Sequence, residues 1–194
     1  MHEERENGIV IGIVDNLNDE DGLGRVKVKY PNHNGQLSHW ARMVTPMAGK
    51  DRGMRFPYEK DDEVLVAFEY GDPKRPYILG GLWSNADKPP ADDGKTPKSN
   101  WRFIKSRSGH IVRLDDTSGK EKIEIIANDG KRKIIIDTSG KKIQIICDNG
   151  DVEVSAKKGS VKVEGKTVEV KATTDMNLEA KGTLTIKGAT VNIN

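Results

Sequence analysis

Four groups of residues in this chain could do chemistry, and each is judged by its spacing. Asp115 and Asp116 are adjacent carboxylates, the residue type that acid–base catalysis uses in pairs. Neighbours in an extended segment point to opposite faces, so the two cannot converge on one reacting atom. The histidines are His2, His33, His39 and His110. His110 follows a glycine, and alone it reads as a packing or hydrogen-bonding residue, not a metal ligand. A single cysteine, Cys147, excludes an intrachain disulfide and a Cys-based zinc cluster. It keeps the parity of Ile143 and Ile145, as a small apolar group would, and three copies would meet on a symmetry axis. Lys27, Lys29, Tyr30, Trp40 and Arg42 interleave cations with rings, the combination with which small β-barrels hold single-stranded nucleic acid. The expectation is no catalytic residue, no cofactor and no metal site, with that aromatic and basic cluster as the one rival reading.

The elements that would position these residues follow from composition. The chain has 194 residues, 35% hydrophobic and 32% charged, with a net charge of +2. So even a mixture of signs supplies no bulk attraction for nucleic acid or anionic membrane. The start, with acidic residues before a very short apolar run, does not resemble a secretory signal, and no stretch is long enough to span a bilayer. Synthesis in the cytoplasm is expected. All eight prolines lie at or before Pro97 and all ten aromatics at or before Phe103. From Ile104 onward 21 of 24 Val, Ile and Leu residues are β-branched. Two such vocabularies imply two structures, joined by the Pro- and Asp-rich stretch 84–100.

In the first half, strand-like runs fall at 8–17, 24–30, 37–44, 62–70 and 77–83. Val26, Val28 and Tyr30 alternate with Arg25, Lys27 and Lys29, and Val64, Val66, Phe68 and Tyr70 repeat the pattern. Turn signals such as Asp21-Gly22 and Gly71-Asp72-Pro73 separate the runs. Five short strands without helical periodicity predict a small barrel, for which the five-stranded OB fold is a common solution.

The second half is a repeat. Apolar residues recur two apart: Ile123 and Ile125, Ile134 and Ile136, Ile143 and Ile145, Val152 and Val154, Val161 and Val163, Val168 and Val170. The series continues with Met176 and Leu178, Leu184 and Ile186, and Val191 and Ile193. The steps between pairs are 11, 9, 9, 9, 7, 8, 8 and 7 residues. Most intervening residues are polar, so each unit has a dry and a wet face. Such a unit cannot bury a core alone. Three chains wound about one axis would turn every pair inward and remove most sheet edges. About ten rungs at roughly 4.8 Å make a needle on the order of 50 Å long.

The residues then resemble a known family: the central spikes of contractile injection systems, meaning phage baseplate assembly protein V and the matching portion of type VI secretion VgrG proteins. In the barrel half the resemblance is carried by Gly24-Arg25-Val26-Lys27-Val28, Tyr30-Pro31, Trp40-Ala41-Arg42 and Pro46-Met47-Ala48-Gly49. It continues through Asp62-Glu63-Val64-Leu65-Val66-Ala67-Phe68-Glu69, Gly71-Asp72-Pro73 and Arg75-Pro76-Tyr77-Ile78-Leu79-Gly80. In the repeat half it is carried by Ser106-Arg107-Ser108-Gly109-His110, Leu114-Asp115-Asp116-Thr117, Gly119-Lys120 and Glu121-Lys122-Ile123. The resemblance implies an all-β, non-enzymatic homotrimer: an OB barrel at the base, then an intertwined trimeric β-helix, or β-prism, driven through the target envelope. It implies a hub, expected on a separate chain unless this sequence is a piece of a longer one, because it starts almost at the barrel. It also implies a PAAR-type tip protein at the C-terminal end, where Asn192, Ile193 and Asn194 continue the strand pattern as a blunt tip. The histidines lie far from that end, unlike the iron-binding caps of some short phage spikes, and the linker is too short for a cell-wall hydrolase.

The expected division is a tail 1–7, an OB barrel 8–83, a linker 84–104 and a trimeric β-helix 105–194. The spike assembles into a tail, baseplate or secretion particle and meets the target membrane only transiently, with no nucleic-acid partner. The alternative is an OB-type single-strand-binding module with a β-rich oligomerisation tail. A surface adhesin with a trimeric stalk fits less well without a signal peptide.

Overall fold

The computed structural model describes residues 8–94 and 98–193. The expected tail 1–7 lies outside the described residues, as do 95–97 and the expected tip residue Asn194.

The first half contains β1 (Ile9–Asn16), β2 (Lys27–Tyr30), β3 (Gln36–Leu37), β4 (Arg42–Met43), β5 (Ala48–Gly49), β6 (Arg52–Gly53), β7 (Glu63–Phe68) and β8 (Pro76–Gly81). Six of these strands form one sheet in the order β3-β2-β1-β7-β8-β4, and β5 and β6 form a separate hairpin. β1 pairs antiparallel with β2 and β7, while β8 pairs antiparallel with β7 and parallel with β4. An antiparallel bridge between Val26 and Ala41 joins the two ends, with reciprocal N–H to carbonyl distances of 3.0 and 2.8 Å. The sheet thereby closes on itself, as the alternating runs predicted. The expected single run 37–44 is split, because β3 pairs with β2 and β4 with β8. The handover falls at buried Ser38, whose hydroxyl oxygen accepts the Val28 N–H at 2.9 Å and donates to the His39 carbonyl at 2.7 Å.

Val14, Val26, Val28, Ala41, Val64, Val66 and Ile78 fill the barrel at 0–2% exposure, with Tyr30 beside them. Burying each Val or Ile stabilises the fold by roughly 1.5–3 kcal/mol. The lumen is narrow enough to require a glycine in β1. A Cβ on Gly12 would sit 2.8 Å from Val28 Cγ2 and 3.1 Å from Val66 Cγ2.

The β1–β2 connection is held by charge. The Asp19 carboxylate, 4% exposed, accepts the Leu23 and Arg25 N–H groups at 3.1 and 3.0 Å and grips the Arg25 guanidinium at 2.6 Å. Hydrogen bonding from that guanidinium keeps the Asp19 carboxyl far below the usual carboxylate range, against the opposing effect of desolvation.

Beyond the barrel, β9 (Trp101–Lys105), β10 (Ile111–Asp115), β11 (Lys122–Ile126), β12 (Arg132–Asp137) and β13 (Lys142–Cys147) form an antiparallel meander in the order β13-β12-β11-β10-β9. β9 takes up residues 101–104 of the stretch expected as linker, since Trp101 and Phe103 alternate with Arg102 and Ile104 and pair along β10. Residues 105–147, expected to wind around partner chains, instead hydrogen-bond to their own chain. The spacing permits this: a step of 9–11 residues accommodates a five- or six-residue strand and a reversing turn. Gly109 and Gly130, at φ of 95° and 69°, supply two of those turns. After Cys147 no strand is formed among the described residues, although the next step is again 9 residues, and the chain runs as unpaired pieces broken by bends at 157–159, 166, 173–174, 181–182 and 189–190.

Gly12→Ala is expected to overpack the barrel and destabilise it by about 1–3 kcal/mol, read as a lower urea midpoint with an unchanged slope. The Asp19 carboxyl is depressed in the folded state, so its contribution is present above the ordinary value of 3.8 and is lost as pH falls below that value. Asp19→Asn is therefore expected to lower the thermal midpoint at neutral pH. It should also flatten the loss of stability on acidification below about pH 4, followed by circular dichroism.

Candidate functional site

The meander has one apolar face in ordered rows. Strand register aligns Ile104, Val112, Ile125, Ile134 and Ile145 in one row and Leu114, Ile123, Ile136 and Ile143 in the next. Cross-strand neighbours of this kind are the stabilising unit of a sheet. Here they lie open: exposure runs from 42% at Ile136 to 73% at Ile143, against 0% for Val64 in the barrel. An open groove of about 550 Å³ crosses this face and continues to Cys147 and Val152.

The opposite face of the meander is charged and better covered. Arg113 donates from Nε to Glu124 at 2.8 Å, and its guanidinium lies 4.0 Å from the centre of the Trp101 ring. Lys122 reaches the same carboxylate at 3.3 Å, and the Glu124 side chain is 5% exposed. Asp115 is buried and Asp116 exposed, the latter 3.3 Å from Arg102. Burial raises the Asp115 carboxyl, but hydrogen bonds from the Thr117 hydroxyl and N–H, helped by Trp101 and Lys122, outweigh it and hold the group low. The two carboxylates have separate partners and share no reacting centre. His110 accepts the Asn128 N–H at Nδ1, 3.2 Å away, and the half-buried Cys147 thiol donates toward the Asn149 and Asp151 carbonyls.

The remaining expected residues lie in the extended stretch. Val152, Val154, Val161, Val163, Val168, Val170, Met176, Leu178, Leu184, Ile186, Val191 and Ile193 are all exposed, between 46% at Met176 and 88% at Ile193. No strand pairing within the chain covers the described residues 151–193. Glu169 and Lys171 alternate with Val168 and Val170 and pair with each other at 2.7 Å, which separates a wet face from the apolar one. Asn192 and Ile193 are exposed at the end of the described residues.

The basic and aromatic set on the barrel is divided by the fold. Tyr30 turns into the core, its ring 6.0 Å from that of Phe68, and Lys29 pairs with Asp15 on another side. Trp40 remains at the surface with Lys27 and Arg25 over its ring at 4.9 and 5.6 Å, and Arg42 lies 5.6 Å over Tyr77. Sequence reasoning passed over the hairpin β5–β6 and the segment 54–58 that follows it; Gly49 and Gly53, flanking Asp51-Arg52, were the available turn signal.

Comparison with known proteins places these features. Residues 10–83 match the family model of the type VI secretion system/phage-baseplate injector OB domain. The chain is 29% identical over 127 residues to the type VI secretion system spike protein VgrG1a of Pseudomonas aeruginosa, covering 59% of this chain and 20% of that protein. It is 31% identical over 119 residues to VgrG1b of the same organism, covering 55% of this chain and 16% of the relative. It is 30% identical over 118 residues to the actin cross-linking toxin VgrG1 of Vibrio cholerae, with 55% and 10% covered. The chain thus spans between a tenth and a fifth of the length of these relatives.

Arg113→Leu is expected to leave the Glu124 carboxylate almost buried with only Lys122 beside it, a loss of about 3 kcal/mol in chemical denaturation. Replacing both residues with leucine should recover most of that loss, since no uncompensated charge then remains.

Proposed function

We propose a mechanical role for this VgrG-like, baseplate-type spike chain with its injector OB domain at residues 10–83. Three copies form a spike of a contractile tail or type VI secretion apparatus, with the barrels at the base against a hub and the repeat half as the needle. The needle ends at a PAAR-type tip protein and crosses the target envelope when the machine fires. The role is carried by rigidity and needs neither catalysis nor a cofactor.

One observation carries this reading. From Val152 to Ile193 both members of every apolar pair are exposed, and the backbone of those residues has no strand partner among the described residues. A single chain in water would leave all of that surface and those donors and acceptors uncovered. Two further copies supply both needs. Their extended pieces pair edge to edge, and their apolar residues meet on the axis. The nine branched residues on the open face of the meander continue the same axis, so three meanders form the walls of the prism nearest the barrels. Ile123, Ile125, Ile134, Ile136, Ile143 and Ile145 thereby join the later pairs in one core. The single-strand-binding alternative is weakened at Tyr30, whose ring is spent in the barrel core and has no face left for a base.

Light scattering coupled to size exclusion is expected to give about 64 kDa, three times the 21.5 kDa chain, with an elongated profile. A 21.5 kDa species would overturn the trimer. Ile145→Asp would place three carboxylates on a dry axis at a cost of several kcal/mol each. The trimer mass should be lost, while Ile145→Val keeps it.

A further inference from the structure

A second surface, away from the apolar face, carries a different kind of information. The β1–β2 connection, β4, the segment after hairpin β5–β6 and the β7–β8 connection enclose a groove of about 900 Å³ on the barrel. Its lining includes Trp40, Arg42, Arg55, Phe56, Lys74 and Tyr77. We propose that this groove is a docking site for an acidic, partly apolar segment of another protein.

Charge sets the sign of the partner. Arg25 is neutralised by Asp19 and Asp21, and Arg75 by Glu69 and Asp72. Arg42, Arg55 and Lys74 line the same groove, are exposed, and have no acidic partner among the described residues. Glu69, the one acidic residue lining the groove, is occupied by the Tyr77 hydroxyl at 2.8 Å and by Arg75 at 3.3 Å. Three unpaired cations around a concave site favour carboxylates.

The apolar residues identify the partner as protein. Leu23 and Phe56 in the groove are 71% and 58% exposed, and Val44, Met47 and Met54 beside them are also open to solvent. Arginine, methionine and aromatic residues around an apolar centre are the composition of a protein interface. Nucleic acid is a poorer fit, because the Trp40 and Tyr77 rings already carry cations and offer bases little stacking surface. The barrel of a second copy offers this groove fewer free carboxylates than its composition suggests. Six barrel carboxylates, Asp15, Asp19, Asp21, Glu59, Glu69 and Asp72, are already engaged in ion pairs within the chain.

This assignment rests on the barrel surface alone and does not require the trimeric needle. The test uses the full chain and fluorescence anisotropy, with a labelled peptide of about twelve residues alternating Glu and Leu. The controls are a Lys and Leu peptide and a thymidine oligonucleotide of similar length. The acidic peptide should bind in a salt-sensitive manner, at least about tenfold more weakly to Arg42→Glu/Arg55→Glu, and equally well to Lys105→Glu on β9. Arg55→Gln alone, on an exposed segment, should keep the far-ultraviolet spectrum and show an intermediate loss. Absence of binding to the acidic peptide, or binding that ignores the substitutions, would overturn the proposal. Oligonucleotide binding abolished by the same double substitution would reassign the groove to nucleic acid. The light-scattering mass reads the needle independently, so the two readings fail separately.

Discussion

A sheet with one apolar face cannot leave that face in water, and the architecture of this chain depends on that constraint. In the barrel it is met internally. β1, β2, β4, β7 and β8 curl until Val14, Val28, Val64, Val66 and Ile78 touch only one another and their neighbours. In the second half it is not met within one chain. The meander aligns nine branched side chains in two rows, and they, like the paired apolar residues from Val152 onward, are still open. Exposed apolar area on this scale signals association. The absence of rings after Phe103 agrees with a core too narrow for them.

Polar groups are arranged to support this division of labour. On the covered face of the meander, the Arg113–Glu124 pair under Trp101 gives the sheet a defined outer side, so its register does not rest on interchangeable isoleucines alone. In the barrel, Asp19 gathers the β1–β2 connection around Arg25, which also lies over Trp40. The exposed Arg107–Glu59 pair between the two halves contributes at most about 1 kcal/mol, the scale of a solvated ion pair.

Much of this was legible in the residues. The run that alternates Val with Lys became β2, and Val64, Val66 and Phe68, spaced by two, became one face of β7, because period-two patterning ties each side chain to one face. The repeat was visible because paired branched residues recur at short, similar steps. The split at Ser38 was not legible, since nothing local says where a strand changes partner to close a barrel. Nor was the boundary between the meander and the unpaired pieces, since steps of 9 residues occur on both sides of it. The cluster of Lys27, Lys29, Tyr30, Trp40 and Arg42 was visible as composition, yet closure buried Tyr30, sent Lys29 to Asp15, and brought in Arg55 and Phe56 from the segment after a hairpin with weak signals.

The amino-acid order by itself determined an all-β chain of two unlike halves, which residues in each half are apolar on one face, and that the second half lacks the means to cover its own face. These are properties of local spacing and side-chain type, and they survive without knowledge of what lies nearby. Tertiary structure alone decided which strand pairs with which, which of two adjacent aspartates is buried, and which cations are left without a carboxylate. Those outcomes depend on contacts between residues far apart in the chain, and the charge remaining on a surface is known only after every nearer partner has been taken.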